Sequence, residues 1–149
     1  MTVRASEIEM ALLSPPYFDF YWPKISEELD HIPHVWSQWW TKEALFEAVL
    51  AKRMEVWAVG PKDMFTVILF TQVVNYPAAR ILQVFLAFGR GIDAVLPTLD
   101  ATLDRYAAIQ GCTSIEVIGR DGWEKKLQSV GFKPSSIVLS RPVIGGLVN

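Results

Sequence analysis

The run Phe88–Gly89–Arg90–Gly91–Ile92–Asp93 places an arginine between two glycines, where an apolar stretch gives way to a helical period. Backbone amides opened by glycine, a cation among them and a helix N-terminus behind them can hold a phosphate. The motif is short, and glycine in such a turn also serves geometry alone. His31 and His34 bring two imidazoles close without completing a ligand set, so a loop or helix-end role is expected and no metal site. Ser135–Ser136 has no evident His–Asp partnership, and Cys112 after Gly111 reads as a small buried thiol with no base beside it. Glu55 and Glu116 stand at strand ends, where a carboxylate could take a proton. Solvated surface carboxylates are the ordinary reading of both, and no catalytic residue is assigned.

A second group is aromatic: Tyr17, Phe18, Phe20, Tyr21 and Trp22, then Trp36, Trp39 and Trp40. Part of it must be core. These rings are many for one small domain to bury, and Trp and Tyr mark protein interfaces. Trp36, Trp39 and Trp40 are therefore expected to form a partner or acceptor surface. Arg120 and Trp123, around Gly122, are expected to form a second contact, the arginine stacking near the indole.

The elements that position these residues follow from period and punctuation. Ser6 before Glu7–Leu13 predicts a short capped helix stopped by Pro15–Pro16. Ile25 and Leu29 predict a short amphipathic helix over Lys24–Asp30, and Thr41 is the expected N-cap of a helix over Lys42–Arg53. Val56–Val59, Phe65–Val74 and Arg80–Phe88 read as three antiparallel strands joined by Gly60–Pro61–Lys62–Asp63 and Asn75–Tyr76–Pro77. Ile92, Val95, Leu96, Leu99, Leu103 and Tyr106 share one face of a long helix over Gly91–Gly111. Ser114–Ile118 is a predicted strand, Trp123–Val130 a helix closed by Gly131, and Phe132–Arg141 a last strand. A long helix between two strands makes a βαβ crossover, so the fold class is α/β (α+β) with a mixed, mainly antiparallel sheet flanked by helices.

At 149 residues the chain is expected to be one domain, with 1–23 an extension, 24–141 the core and 142–149 a tail. Apolar residues make up 51% and charged residues 20%, as in a globular protein with a large core or a docking surface. A net charge of −2 with no basic run points away from nucleic acid and anionic membranes. The single cysteine fits a reducing compartment, the apolar runs are too short to span a bilayer, and a cytoplasmic location is expected.

The order of elements resembles the GNAT (Gcn5-related N-acetyltransferase) fold, and local sequence carries the resemblance further. Gly111–Cys112, Thr113–Ile118 and the closing Gly131–Phe132 look like the end of that family's long helix, its fifth strand and its Gly-Phe signature. Gly119–Arg120–Asp121–Gly122–Trp123 is similar to small GNAT-like proteins of tailed bacteriophages. The resemblance implies that Phe88, Gly89, Arg90, Gly91 and Ile92 form the loop that takes the pyrophosphate of acetyl-CoA. In that alignment Phe88 replaces a basic or amide residue, Asp93 a glycine or alanine, and Leu127 the tyrosine that commonly protonates the leaving thiolate. Arg120 stands near the family's asparagine. Asp93 is expected to cap the helix, where a carboxylate meets the positive end of the dipole. Pro97 is expected to move the regular helix toward Leu96.

Two functions follow from the resemblance. One is a GNAT scaffold with a degenerate acyl-CoA site that works by binding a protein partner, another virion protein or itself, in a phage-encoded or virion-associated role. The other is an acetyl-CoA-dependent N-acetyltransferase acting on a primary amine, with the acceptor against the N-terminal aromatic helices.

Overall fold

The computed structural model describes residues 7–62, 64–119 and 122–145. The sequence-predicted N-terminal helix is a strand. Ile8, Met10 and Leu12 alternate, and β1 (Ile8–Leu12) pairs antiparallel with β2 (Glu55–Pro61), from Ile8 opposite Pro61 to Leu12 opposite Trp57. A cross-strand ladder satisfies every second backbone group of a segment too short to hold a helix alone. Ser6, the expected cap, lies outside the described residues.

Pro15 and Pro16 start a helix where they were expected to stop one. α1 (Pro15–Asp30) has proline in its first turn, where the missing N–H has no intrahelical acceptor to lose. It runs through Pro23 and buries Phe18, Ile25 and Leu29. The helix therefore crosses the 23/24 boundary drawn from sequence. α2 (Pro33–Trp36) is one turn, and α3 (Lys42–Leu50) is capped by Thr41, whose Oγ1 accepts from the Ala44 amide at 3.1 Å.

β3 (Val67–Tyr76) and β4 (Ala79–Gly89) complete the meander, and α4 (Ile92–Ile109) crosses to β5 (Ser114–Val117), which pairs parallel with β4. The sheet order is β1-β2-β3-β4-β5, the mixed, mainly antiparallel sheet with a βαβ crossover that the periodicity predicts. α5 (Trp123–Gln128) follows. α4 begins at Ile92, not near Leu96, and carries Pro97 inside it. The last predicted strand does not form: Phe132 is half-buried, residues 133–145 are exposed, and none of them pairs with the sheet.

Alternation along the strands builds a core on each face of the sheet. Val56, Ala58 and Phe70 pack with Phe18, Leu29 and Leu45 of α1 and α3. Trp57, Val59, Val67 and Leu69 pack with Leu96, Leu99 and Leu103 of α4 and Leu127 of α5. No helix among the described residues is long and apolar enough to cross a membrane.

Candidate functional site

β4 changes face in mid-strand. Its partners on β3 jump from Phe70–Leu86 to Thr71–Val84, which leaves Phe85 as the extra residue of a bulge. Before it, Leu82 and Val84 face α4; after it, Leu86 and Phe88 face α1–α3. Pairing between β4 and β5 stops at the same place. Its last ladder partners are Val84 and Val117, followed by Ile118 N–H donating to the Val84 carbonyl at 2.9 Å.

From Phe85 to Gly89, β4 therefore runs on without β5. The wedge between the separated strands is lined by Phe85, Leu86 and Ala87 on one side and by Val117, Ile118 and Gly119 on the other, with Trp123 beside it. A crevice at the carboxyl ends of adjoining parallel strands is where open α/β sheets take ligands.

At its open end stands the loop Gly89–Arg90–Gly91. A Cβ on Gly89 would fall 2.0 Å from the Thr66 carbonyl oxygen, so this glycine permits close approach to β3. That same carbonyl accepts from the Arg90 amide at 2.9 Å, which removes one donor from the loop. Gly91 differs. It is the N-cap of α4 at φ 71°, and a Cβ there would meet nothing within 4 Å. The amides of Gly91, Ile92 and Asp93 have no backbone acceptor, because the first such bond runs from Ala94 N–H to the Gly91 carbonyl. Open space above a left-handed glycine, unclaimed amides and the dipole of an eighteen-residue helix fit a pyrophosphate. Arg90 is exposed beside them.

Asp93 does not cap the helix: no side chain does. It lies in the first turn, and Lys126 of α5 reaches it at 3.3 Å. Its charge is thus met by a cation as well as by the dipole. Phe88 is buried and stacks on Phe70, ring centroids 6.5 Å apart, so only its main chain borders the loop. Leu127 is buried against α4.

The aromatic residues divide. Trp36 is core and not surface: it is buried, and its Nε1 donates to the Leu29 carbonyl at 2.8 Å. Trp39 is 71% exposed. Trp40 is half-buried and stacks on Phe85, the bulged residue, at 5.7 Å. Trp123 sits against the wedge, and Arg120 lies outside the described residues. The remaining candidates disperse. His31 closes α1 and His34 lies in α2, both exposed, and no group of three potential metal ligands occurs among the described residues.

The carboxylates are not simply solvated. Thr71 Oγ1 accepts from Trp57 Nε1 and donates to Glu55 Oε1, each at 2.9 Å. Burial pushes the Glu55 carboxyl above its ordinary value, against the lowering by this hydrogen bond. Trp57 and Thr71 place Glu55 on the α4 face. Glu116 lies on the other face, since its neighbours Ile115 and Val117 pack toward α4. Its Oε1 accepts from Gln83 Nε2 at 2.9 Å, and Gln83 Oε1 accepts from Gln72 Nε2 at 2.8 Å. This polar row crosses β3, β4 and β5 directly before the wedge. Nothing in the linear sequence signals it, or the Asp93–Lys126 pair, because each joins residues brought together only by sheet register or helix packing.

No protein-family model matches the sequence, and no curated protein matches it. Solved structures do match. The ribosomal-protein-alanine N-acetyltransferase of Brucella melitensis biovar Abortus 2308 superposes with a TM-score of 0.61 at 12% identity, covering 92% of this chain and 97% of that one. An aminoglycoside acetyltransferase from an uncultured soil metagenomic sample gives 0.64 at 10% identity over 93% and 97%. AAC(6')-Iy, in complex with the bisubstrate analogue CoA-S-monomethyl-acetylneamine, gives 0.64 at 12% identity over 92% and 99%. These neighbours are acetyltransferases, and the chain shares the GNAT fold with them; none of the three connects it with bacteriophage proteins.

Proposed function

We propose that this chain is an acetyl-CoA-dependent N-acetyltransferase acting on a primary amine. The observation that carries the reading is the bulge at Phe85. It parts β4 from β5, and the wedge so formed leads to the unclaimed amides at Gly91. Acyltransferase neighbours, one of them bound to a CoA-containing bisubstrate analogue, support it.

Acetyl-CoA, when bound, supplies an acyl group activated as a thioester. The amides of Gly91, Ile92 and Asp93 would hold its pyrophosphate, with Arg90 as an added cation. Lys126 screens the one carboxylate beside that anion. Phe85, Leu86, Val117 and Trp123 give the wedge apolar walls. Glu116, on the strand that borders the wedge and held by Gln83, would take the proton that the acceptor amine gives up. Leu127 donates no proton.

The test is release of free CoA thiol on mixing the protein and acetyl-CoA with a panel of amines: a polyamine, an aminoglycoside and a peptide N-terminus. Turnover with at least one amine, lost in Gly91→Glu, supports the reading. Binding of acetyl-CoA without turnover on any amine would leave the scaffold without the chemistry. A second reading, in which the chain captures a protein partner, is favoured by the 76% exposure of Phe20 and the 71% exposure of Trp39.

A further inference from the structure

From Ile81 to Phe88, β4 carries one polar residue, Gln83, among seven apolar ones. A half-buried strand fixes its register by turning apolar residues to the core and polar ones away, and a slip of one residue exchanges its two faces. Phe85, Leu86, Ala87 and Phe88 are apolar on both faces, so their pattern accepts either register. Something other than alternation must decide that β4 bulges at Phe85.

Two contacts hold the strand, one on each side of that residue. Gln83 stands directly opposite Gln72 of β3 and Glu116 of β5. Its Oε1 accepts from Gln72 Nε2 at 2.8 Å, and its Nε2 donates to Glu116 Oε1 at 2.9 Å. A slip of one residue here would break both bonds and carry the amide into the apolar layer against α4. It would also expel Leu82 and Val84, which are buried in that layer. At the other end Gly89 stands opposite Val67, so close to the Thr66 carbonyl that only a residue without a Cβ fits. Phe88 or Arg90 in its place would drive a side chain into β3.

We infer that these two contacts create the bulge, and with it the wedge, by a mismatch in length. Val67 and Gln72 are five residues apart on β3, whereas their partners Gly89 and Gln83 are six apart on β4. One residue of β4 is in excess between the fixed points, and it leaves the ladder as Phe85. Gln83 is thus a positioning residue. It is not among the residues that line the wedge, and it acts on acetyl-CoA through the register it imposes on β4. That last step rests on reading the wedge as the acetyl-CoA site; the origin of the bulge does not.

The experiment compares the full chain with Gln83→Leu, Gln83→Lys and a variant lacking Phe85, by residue-resolved hydrogen exchange without ligand and by titration with acetyl-CoA. Removing Phe85 makes the two spans equal and leaves the other side chains of β4 on their present faces. That variant should fold, exchange slowly at 86–88 and 118–119 as β4 and β5 pair onward, and bind no acetyl-CoA. Gln83→Leu releases one fixed point and should exchange faster at 82–86 and lose binding. Gln83→Lys cannot enter the apolar layer and has Glu116 beside it, so it should match the parent chain in both measurements. Should the deletion variant not fold, the contrast between Gln83→Leu and Gln83→Lys decides the same point. Parent-like exchange and binding in Gln83→Leu, or loss of both in Gln83→Lys, would overturn the inference. So would a folded deletion variant that binds acetyl-CoA as the parent does. If the parent itself binds none, the functional reading fails, and the exchange patterns still decide what sets the bulge.

Discussion

Lys126 Nζ lies 3.3 Å from Asp93 Oδ1, joining the N-terminal turn of α4 to α5. The pair answers the charge that Asp93 would otherwise set against a pyrophosphate. Both groups are substantially exposed, so their mutual attraction contributes only about 0–1 kcal/mol to stability. Its effect on an anion bound beside it is the more informative quantity.

Lys126→Met should therefore leave thermal stability almost unchanged and weaken acetyl-CoA binding several-fold. Asp93→Asn should strengthen it. Titration of both variants at low and at high salt checks the sign, and the difference between them should shrink with salt.

The two loop glycines should separate fold from binding. Gly89→Ala drives a Cβ against the Thr66 carbonyl and should destabilise the protein by at least about 2 kcal/mol in chemical denaturation. Gly91→Ala enters open space and should lose only the left-handed cost, about 1–2 kcal/mol. Gly91→Glu should fold nearly as well as Gly91→Ala and bind no acetyl-CoA.

Glu55 supplies a pH dependence. Its carboxyl is raised by burial, so the folded state holds the proton more tightly than the unfolded chain. The stabilisation from that proton is complete below the ordinary value of 4.5 and is lost as pH rises through the raised folded value. Glu55→Gln keeps an acceptor for the Thr71 hydroxyl and carries no charge to desolvate. Denaturation at neutral pH should find it more stable than the parent chain, and the gap should close toward pH 4.

The tryptophans should divide by burial. Trp36→Ala opens a cavity and removes the indole donor from the Leu29 carbonyl, which keeps the Ile32 amide, for a loss of about 3–5 kcal/mol in urea denaturation. Trp39→Ala should stay within about 0.5 kcal/mol. If Trp40 positions the bulge through Phe85, Trp40→Ala should raise the KM for the acceptor more than it alters overall stability.

The sheet meander, the long helix and its crossover were legible because their periods are long and uninterrupted. Ile8–Leu12 was not: its residues suit helix and alternating strand alike, and only the partner Glu55–Pro61 decides between them. Pro15–Pro16 was misread because proline both ends and begins helices, and the burial of Phe18 selects the second. At the loop, residue types pointed to Gly89–Ile92, but not to the division of labour in which Gly89 packs and Gly91 stays open. Phe88 and Trp36 looked like site residues and are core. The bulge at Phe85 is invisible in sequence, since β4 reads as an unbroken apolar strand through it.

Calorimetric titration of the protein with acetyl-CoA, beside Gly91→Glu, decides whether the amides at Gly91 hold the cofactor. The parent chain should bind in the micromolar range and the variant not at all. Absence of binding by the parent chain up to millimolar acetyl-CoA, or equal binding by both proteins, would contradict it.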